Sequence, residues 1–415
     1  MSPTANMATS APTATASKEL LSNRILQMEE SATIAMAKKG RELATKGHDV
    51  INLSFGEPDF GTPQHIREAA KQAIDEGWSH YTPVPGYPEL RRAVADKFLR
   101  ENGLKYSPEQ IVVSTGAKQC IANVVLSSVN EGDEVLILAP YWVSYLEVVK
   151  LAGGVPIIVS GRFESNFKPS IAAIEAAITP STKLIMYSSP SNPTGGVFSK
   201  ADLVALAAML RNYPDVLVMA DEIYEHLNYV GGHHSLAAED GMIDRVITIN
   251  GLSKAFAMTG WRVGYMGAPL HIAKACDKMQ GQFTSGTCSI AQRAAITALN
   301  ASLAPTLEMT RRFGIRRKAM FEAMSAIPGL KVQEPDGAFY LFPDVTYYLG
   351  KRAPDGSTIA TATDLCIYLL ETAFVSLVSG EAFGDPDCIR ISFAAADEKL
   401  AEAVERIKTA LAKLS

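Results

Sequence analysis

The chain has 415 residues, 47% of them hydrophobic and 20% charged, with a formal net charge of −5. These values describe an ordinary globular protein, long enough for two or three domains and for a large core without covalent staples. The two charge signs are interspersed with no basic stripe, which argues against nucleic acid as a partner, and no apolar run approaches the ~18 residues of a membrane span.

Residues 1–20 begin with a Ser, Thr, Ala and Pro mixture and are expected to form a disordered tail. The tail has neither the apolar stretch of a secretory signal nor the arginines of a mitochondrial presequence. Residues 21–60 follow as an N-terminal segment expected to pack with a small domain. Short apolar runs then alternate with helical patterns. Ile111–Ser114 leads into Gly116, Glu134–Leu138 ends at Ala139-Pro140, and Lys183–Tyr187 ends at Ser188-Ser189-Pro190. Val216–Ala220 ends at Asp221-Glu222, and Val246–Ile249 ends at Asn250-Gly251. Consecutive apolar residues suit strands buried on both faces of a parallel sheet, and the helical stretches between them, such as Lys200–Arg211, make the class α/β.

From about residue 310 the pattern changes. A long helical stretch runs to Met324. It is followed by Gly337–Phe342, Phe374–Val378, Cys388–Ala394 and an amphipathic helix from Asp397 to Lys413. The polar, glycine-containing stretch Lys351–Thr363 reads as a surface loop. The expected division is therefore a large domain over 61–310 and a smaller α+β domain over 311–415.

Polar residues fall just past the ends of the apolar runs, where open α/β sheets form their ligand sites. Gly116, Trp142, Asn192, Asp221 and Lys254 are thereby expected to converge. Gly116 permits a tight turn whose following amides, on Ala117 and Lys118, open a helix and can bind an anion. Trp142 can stack on a flat ring, and Asn192, restricted by Pro193, can present its amide to a fixed polar atom. Asp221, after a wholly apolar strand, needs a partner, either an arginine or a protonated ring nitrogen, with the Tyr224 phenol close by. Lys254, where a buried strand ends, is a desolvated amine suited to Schiff-base chemistry. Arg390, alternating with apolar residues in Cys388–Ala394, offers a planar fork for a carboxylate, and Gly56 allows close backbone approach. Each of these alone also has an ordinary structural explanation.

The five cysteines, Cys120, Cys276, Cys288, Cys366 and Cys388, form no CxxC pair, and their odd count argues against a disulfide framework. A reducing cytoplasm is the expected setting. The pair His233-His234 follows Gly231-Gly232 and reads as a turn, with no metal-ligand spacing around it.

Together these motifs resemble the pyridoxal-phosphate enzymes of fold type I, and among them the class I aminotransferases of the bacterial-type aspartate aminotransferase group. The resemblance runs from about Leu21 to the C-terminus. It rests on Gly251-Leu252-Ser253-Lys254 through Arg262-Val263-Gly264, on Asn192-Pro193-Thr194-Gly195, on Asp221-Glu222-Ile223-Tyr224 and on Arg390, in the family's order and approximate spacing. It implies a large domain with a mostly parallel sheet of seven-stranded type flanked by helices, and a smaller α+β domain. It implies that Lys254 carries pyridoxal 5′-phosphate as a Schiff base and moves the substrate proton. Asp221 would pair with the ring nitrogen, Asn192 and Tyr224 would bind the ring's phenolic oxygen, and Trp142 would stack on the ring. The amides of Ala117 and Lys118, with Ser253 and Arg262, would hold the phosphate. Gly56, Asn192 and Arg390 would bind the substrate α-carboxylate, and the Lys118 side chain would meet a distal carboxylate.

Tyr81 resembles a tyrosine that reaches the phosphate of the neighbouring subunit, which implies a homodimer with shared sites. Gln282–Gly286 contains no arginine, as in the bacterial subgroup. The segment from Leu21 to Ile34 looks like the part that closes over substrate. One departure is Gly251, where the family usually has a hydroxyl. The favoured reaction is transamination between L-aspartate and 2-oxoglutarate. The alternatives are an aminotransferase acting on aromatic amino acids or prephenate, a β-eliminating lyase, and a catalytically silent domain of the same fold.

Overall fold

The computed structural model describes residues 20–415, so the expected tail lies outside the described residues apart from Leu20. A two-residue strand, β1 (Ile51–Asn52), precedes the seven strands of the main sheet. These are β2 (Ile111–Ser114), β3 (Glu134–Ala139), β4 (Val155–Ser160), β5 (Thr182–Ser188), β6 (Leu217–Asp221), β7 (Val246–Gly251) and β8 (Gly264–Gly267). Their spatial order is β2-β8-β7-β6-β5-β3-β4. Every pairing is parallel except the two made by β8, which is antiparallel to β7 and to β2.

Sequence reading identified five of these strands. It missed β8, whose Gly-Tyr-Met-Gly carries no run of apolar residues, and β4, which lies at the sheet edge with Val155 and Ile158 exposed. The central strands are buried almost throughout, because helices cover both faces. Two apolar clusters occupy those faces, one around Leu136, Ile185 and Val218 and one around Ile137, Met186 and Met219. Neighbouring residues along a strand enter opposite clusters, as the two-residue period of a strand requires.

A third core gathers the C-terminal part of the chain. Its strands are β9 (Tyr340–Leu341), β10 (Val375–Ser376), β11 (Val378–Ser379) and β12 (Ile389–Ser392). The order β11-β12-β9 forms an antiparallel sheet, while β10 pairs in parallel with β1. Met36, Ile51 and Leu53 from the N-terminal segment pack into this core, as do Ile223, Tyr224 and Leu227 from the stretch after β6. The helix Ala304–Ser325 runs across residue 310 and supplies Met309, Phe313 and Met320.

Sheet register aligns the strand ends that matter. Ser188 is level with Asp221, Asp221 with Ile249, and Gly251 with Gly264. The ends of β6 and β7 are anchored from below by a buried charged cluster. Glu225 accepts hydrogen bonds from Lys97, from Asn102 Nδ2 at 2.7 Å and from Asn250 Nδ2 at 2.8 Å, and Asn250 Oδ1 in turn accepts the Gly251 N–H at 2.7 Å. Glu222 accepts the Ser235 hydroxyl at 2.6 Å and lies 2.9 Å from His233 Nε2. Glu101 lies 2.9 Å from His226 Nε2. Lys97 and Asn102 reach this cluster from a helix, Pro88–Lys97, that continues as a π-helical turn over Phe98–Asn102.

His233 thus follows the exposed Gly231-Gly232 bend, but its side chain turns inward against the Glu222 carboxylate, a contact the turn reading did not include. Three carboxylates face one lysine and two imidazoles, so a proton on His233 offsets part of the cluster's negative charge. Burial pulls the His233 pKa down, but the charge and hydrogen bonding of Glu222, with Glu225, outweigh it and hold it above its ordinary value. Stability from this pair is then fully present below the unfolded value of ~6.5 and is lost as pH rises through the raised folded value. Melting temperature should therefore fall between pH 6 and pH 9 by about 1–2 °C more in the parent than in His233→Gln. Identical pH profiles for the two proteins would contradict this reading.

Candidate active site

A cavity of about 470 Å³ opens at the carboxyl ends of β2, β3, β5, β6 and β7. At one end β2 turns through Gly116 into the helix Ala117–Ser128. Gly116 has φ +83°, and a Cβ there would lie 2.3 Å from the Arg262 guanidinium. Gly264 is equally constrained, since a Cβ on it would lie 2.2 Å from the Ala117 nitrogen. Glycine at both positions lets β8 and the turn touch, which leaves the first helical amides, on Ala117 and Lys118, without intrahelical partners. Arg262, itself at φ +56°, donates from Nη1 to the Thr259 carbonyl at 2.9 Å and lines this end together with Ser253. The departure at Gly251 has a steric reason. A Cβ there would sit 3.0 Å from both Gly264 Cα and the Val263 carbonyl, a tight fit that a hydroxyl side chain enters only if those backbones give by a few tenths of an ångström.

Two opposite charges sit at the cavity's centre. The Lys254 amine donates to the Gly56 carbonyl at 2.5 Å. Burial, assisted by the Arg390 and Arg262 charges and opposed by Glu57 and Asp221, lowers its pKa to about 8. Asp221 is buried, and burial raises its pKa to about 6 against the opposing effect of its hydrogen bonds and of Lys254. Its Oδ2 accepts the Tyr145 hydroxyl at 2.7 Å and its Oδ1 accepts the Ile223 N–H at 3.2 Å. Trp142 meets Tyr145 edge-on at 5.8 Å, and the Lys118 ammonium lies 4.9 Å from the indole. Although Lys118 as a residue is exposed, desolvation of its ammonium and the Arg262 charge lower its pKa.

The third group is Arg390, which is fully buried. Its Nη1 donates to Asn192 Oδ1 at 2.9 Å and its Nη2 to the Ser54 carbonyl, while Nε has no hydrogen-bond partner among the described residues. Its guanidinium stands 4.6 Å from the Tyr340 ring and 4.8 Å from the Phe383 ring. The Tyr340 hydroxyl is 2.7 Å from the Tyr224 hydroxyl.

Of the thirteen residues singled out from sequence, eleven line this one cavity, namely Gly56, Ala117, Lys118, Trp142, Asn192, Asp221, Tyr224, Ser253, Lys254, Arg262 and Arg390, while Gly116 turns the chain beside it. Tyr81 does not line it, and its side chain is 99% exposed. Sequence reasoning missed Tyr145 and Tyr340. A phenol three residues after Trp142, and another in the apolar run Ala338–Phe342, were the available signals.

A family model described as aminotransferase class I and II matches residues 48–407. The aspartate/prephenate aminotransferase of Cereibacter sphaeroides is 45% identical over 397 residues, covering 95% of this chain and 99% of the relative. This chain belongs to the class I and II aminotransferases. The crystal structure of the Rhizobium meliloti aspartate aminotransferase superposes with a TM-score of 0.92 at 42% identity, covering 95% of this chain and 99% of that one. That of Thermus thermophilus aspartate aminotransferase with maleate gives 0.88 at 41% identity, covering 94% and 99%.

This aminotransferase is pyridoxal-phosphate dependent, and its cavity fits the cofactor. A buried carboxylate without a cationic partner in hydrogen-bond contact suits a protonated ring nitrogen, and a shielded amine suits an aldehyde. The glycine-opened helix start beside Arg262 suits a phosphate. Uptake requires the neutral amine, whose fraction rises as pH climbs through its pKa. The rate at which cofactor-free protein takes up pyridoxal phosphate should therefore rise with a midpoint near the pH of about 8 set by Lys254. A midpoint above pH 10, the range of an ordinary exposed lysine, would contradict it.

Proposed function

We propose that this aminotransferase moves the amino group of L-aspartate to 2-oxoglutarate, giving oxaloacetate and L-glutamate. The observation that carries the substrate assignment is a second cation, Lys118, in the same cavity as Arg390. Two separated cations match a dicarboxylic substrate, one carboxylate to each. The aspartate aminotransferases among the solved relatives support the same reading. Prephenate is the second reading, supported by the name of the Cereibacter sphaeroides relative.

Bound in the cavity, pyridoxal phosphate supplies an aldehyde for amine exchange and an electron sink for the pair released at the substrate Cα. The chain's own residues do the rest. The amides of Ala117 and Lys118, with Ser253 and Arg262, hold the phosphate. Asp221, held in place by Tyr145, stabilises a proton on the ring nitrogen. Tyr224 and Asn192 would hydrogen-bond the phenolic oxygen, and Trp142 would cover the ring. Arg390 takes the α-carboxylate with help from Asn192 and the Gly56 amide, which leaves the Cα hydrogen within the reach of Lys254. Its neutral amine would accept that proton and later give it back, acting as base and then acid. Ser31, Thr33 and Ile34 already line the cavity, and their closer approach would exclude water and strengthen the ion pairs.

The clusters on the two faces of the main sheet support a large part over 61–310, and the third core supports a small part over 311–415 with 21–60 packed on it; the helix Ala304–Ser325 bridges the two. Five unpaired cysteines suit a reducing cytoplasm. The exposed Tyr81 supports a homodimer in which each tyrosine enters the other subunit's phosphate site.

Two measurements test this reading. Lys118→Gln should lower kcat/KM for aspartate about 10- to 100-fold, the worth of a charge-assisted hydrogen bond, and change that for alanine much less. Equal losses for both donors would remove the distal-carboxylate role. Tyr81→Ala and Lys254→Ala should each be nearly inactive alone. Mixed and refolded together they should regain activity, because the hybrid dimer contains one site with both residues intact. No recovery in proven hybrids would remove the shared site.

A further inference from the structure

Tyr340 meets Arg390, Tyr224 and Gly56 at once. It lies fully buried on β9, opposite Ser392 of β12. Its ring faces the Arg390 guanidinium at 4.6 Å. Its hydroxyl is 2.7 Å from the Tyr224 hydroxyl. That hydroxyl also fills the space over Gly56, where a Cβ would lie 2.1 Å from it, and the Gly56 carbonyl receives the Lys254 amine.

We infer that Tyr340 is a positioning residue that couples carboxylate binding at Arg390 to the protonation of the cofactor carried on Lys254, by donating its hydroxyl proton to Tyr224. This rests on the aminotransferase reading above. Two phenols in contact share one hydrogen bond, so one of them must donate. If Tyr340 donates, the Tyr224 proton stays free for the cofactor's phenolic oxygen. A cation against the Tyr340 ring makes its hydroxyl a stronger donor, and chained hydrogen bonds reinforce one another. A carboxylate that neutralises Arg390 weakens Tyr340 as a donor, and Tyr224 after it. The cofactor's phenolic oxygen then becomes more basic, and the proton it shares with the Lys254 nitrogen is held to higher pH. The other charged groups facing Lys254 are Glu57, Arg262 and Asp221; the Tyr340→Phe substitution leaves all of them in place. It also keeps the ring against Arg390 and removes only the oxygen, with its contact over Gly56.

The test is an absorbance titration of the pyridoxal-phosphate-loaded protein with pH, with and without saturating maleate as an unreactive dicarboxylate. In the parent, maleate should move the midpoint upward. In Tyr340→Phe the unliganded midpoint should rise by about half a pH unit, as expected for one lost hydrogen bond, and the maleate displacement should fall to less than half the parent's. Tyr224→Phe should show the same loss, and adding Tyr340→Phe to it should change nothing further. An undiminished maleate displacement in Tyr340→Phe, or additive effects in the double variant, would overturn the coupling and leave the aminotransferase reading intact. A parent protein that forms no chromophore on Lys254 would overturn both.

Discussion

The structure depends on holding an amine and a carboxylate in one poorly hydrated cavity, where neither is comfortable in its charged form. Burial moves the pKa of Lys254 down to about 8 and that of Asp221 up to about 6. Left in water, the amine would be almost wholly protonated at neutral pH and useless as a nucleophile or base. The carboxylate would have no cause to select a protonated ring. The same desolvation thus prepares both groups, and a bound cofactor satisfies both at once. Such a site costs stability, which the cores on either side of the sheet and the buried ion cluster beneath it must offset.

Placement of these two groups is a matter of register and close approach. Asp221 ends β6 level with Ser188 and Ile249, and Lys254 follows β7 by three residues. Asn250 carries the link downward, because its side chain bonds both Glu225 and the Gly251 amide. Gly264 lets β8 meet the Gly116–Ala117 backbone, Gly116 leaves room for the Arg262 guanidinium, and Gly251 fits tightly against the β8 backbone. The anion end of the cavity therefore owes its shape to backbone contact, while the central chemistry is held by side chains.

Much of this was legible in the sequence. Consecutive apolar residues flagged five of the seven strands, four of them inner and β2 at the edge, and polar residues just past them gave the cavity lining, because a strand buried on both faces must be apolar until it emerges. What escaped reading did so for identifiable reasons. β8 is short and begins and ends in glycine, so no hydrophobic signal marks it. Tyr145 and Tyr340 sit in apolar surroundings, where a phenol passes for core, and only the partner oxygen reveals its use. His233 looked like part of a turn because its carboxylate partner lies 11 positions earlier in the chain, a contact that local pattern does not encode. Tyr81 was singled out by motif alone, and its exposure in one chain is what a role in another subunit requires.

Reduction of the loaded protein with borohydride, followed by peptide mapping, examines the central assignment without depending on any substrate. One equivalent of pyridoxyl label fixed on Lys254 is the expected result. Label on a different lysine, or a protein that takes up none, would contradict the assignment of that amine as the cofactor's anchor.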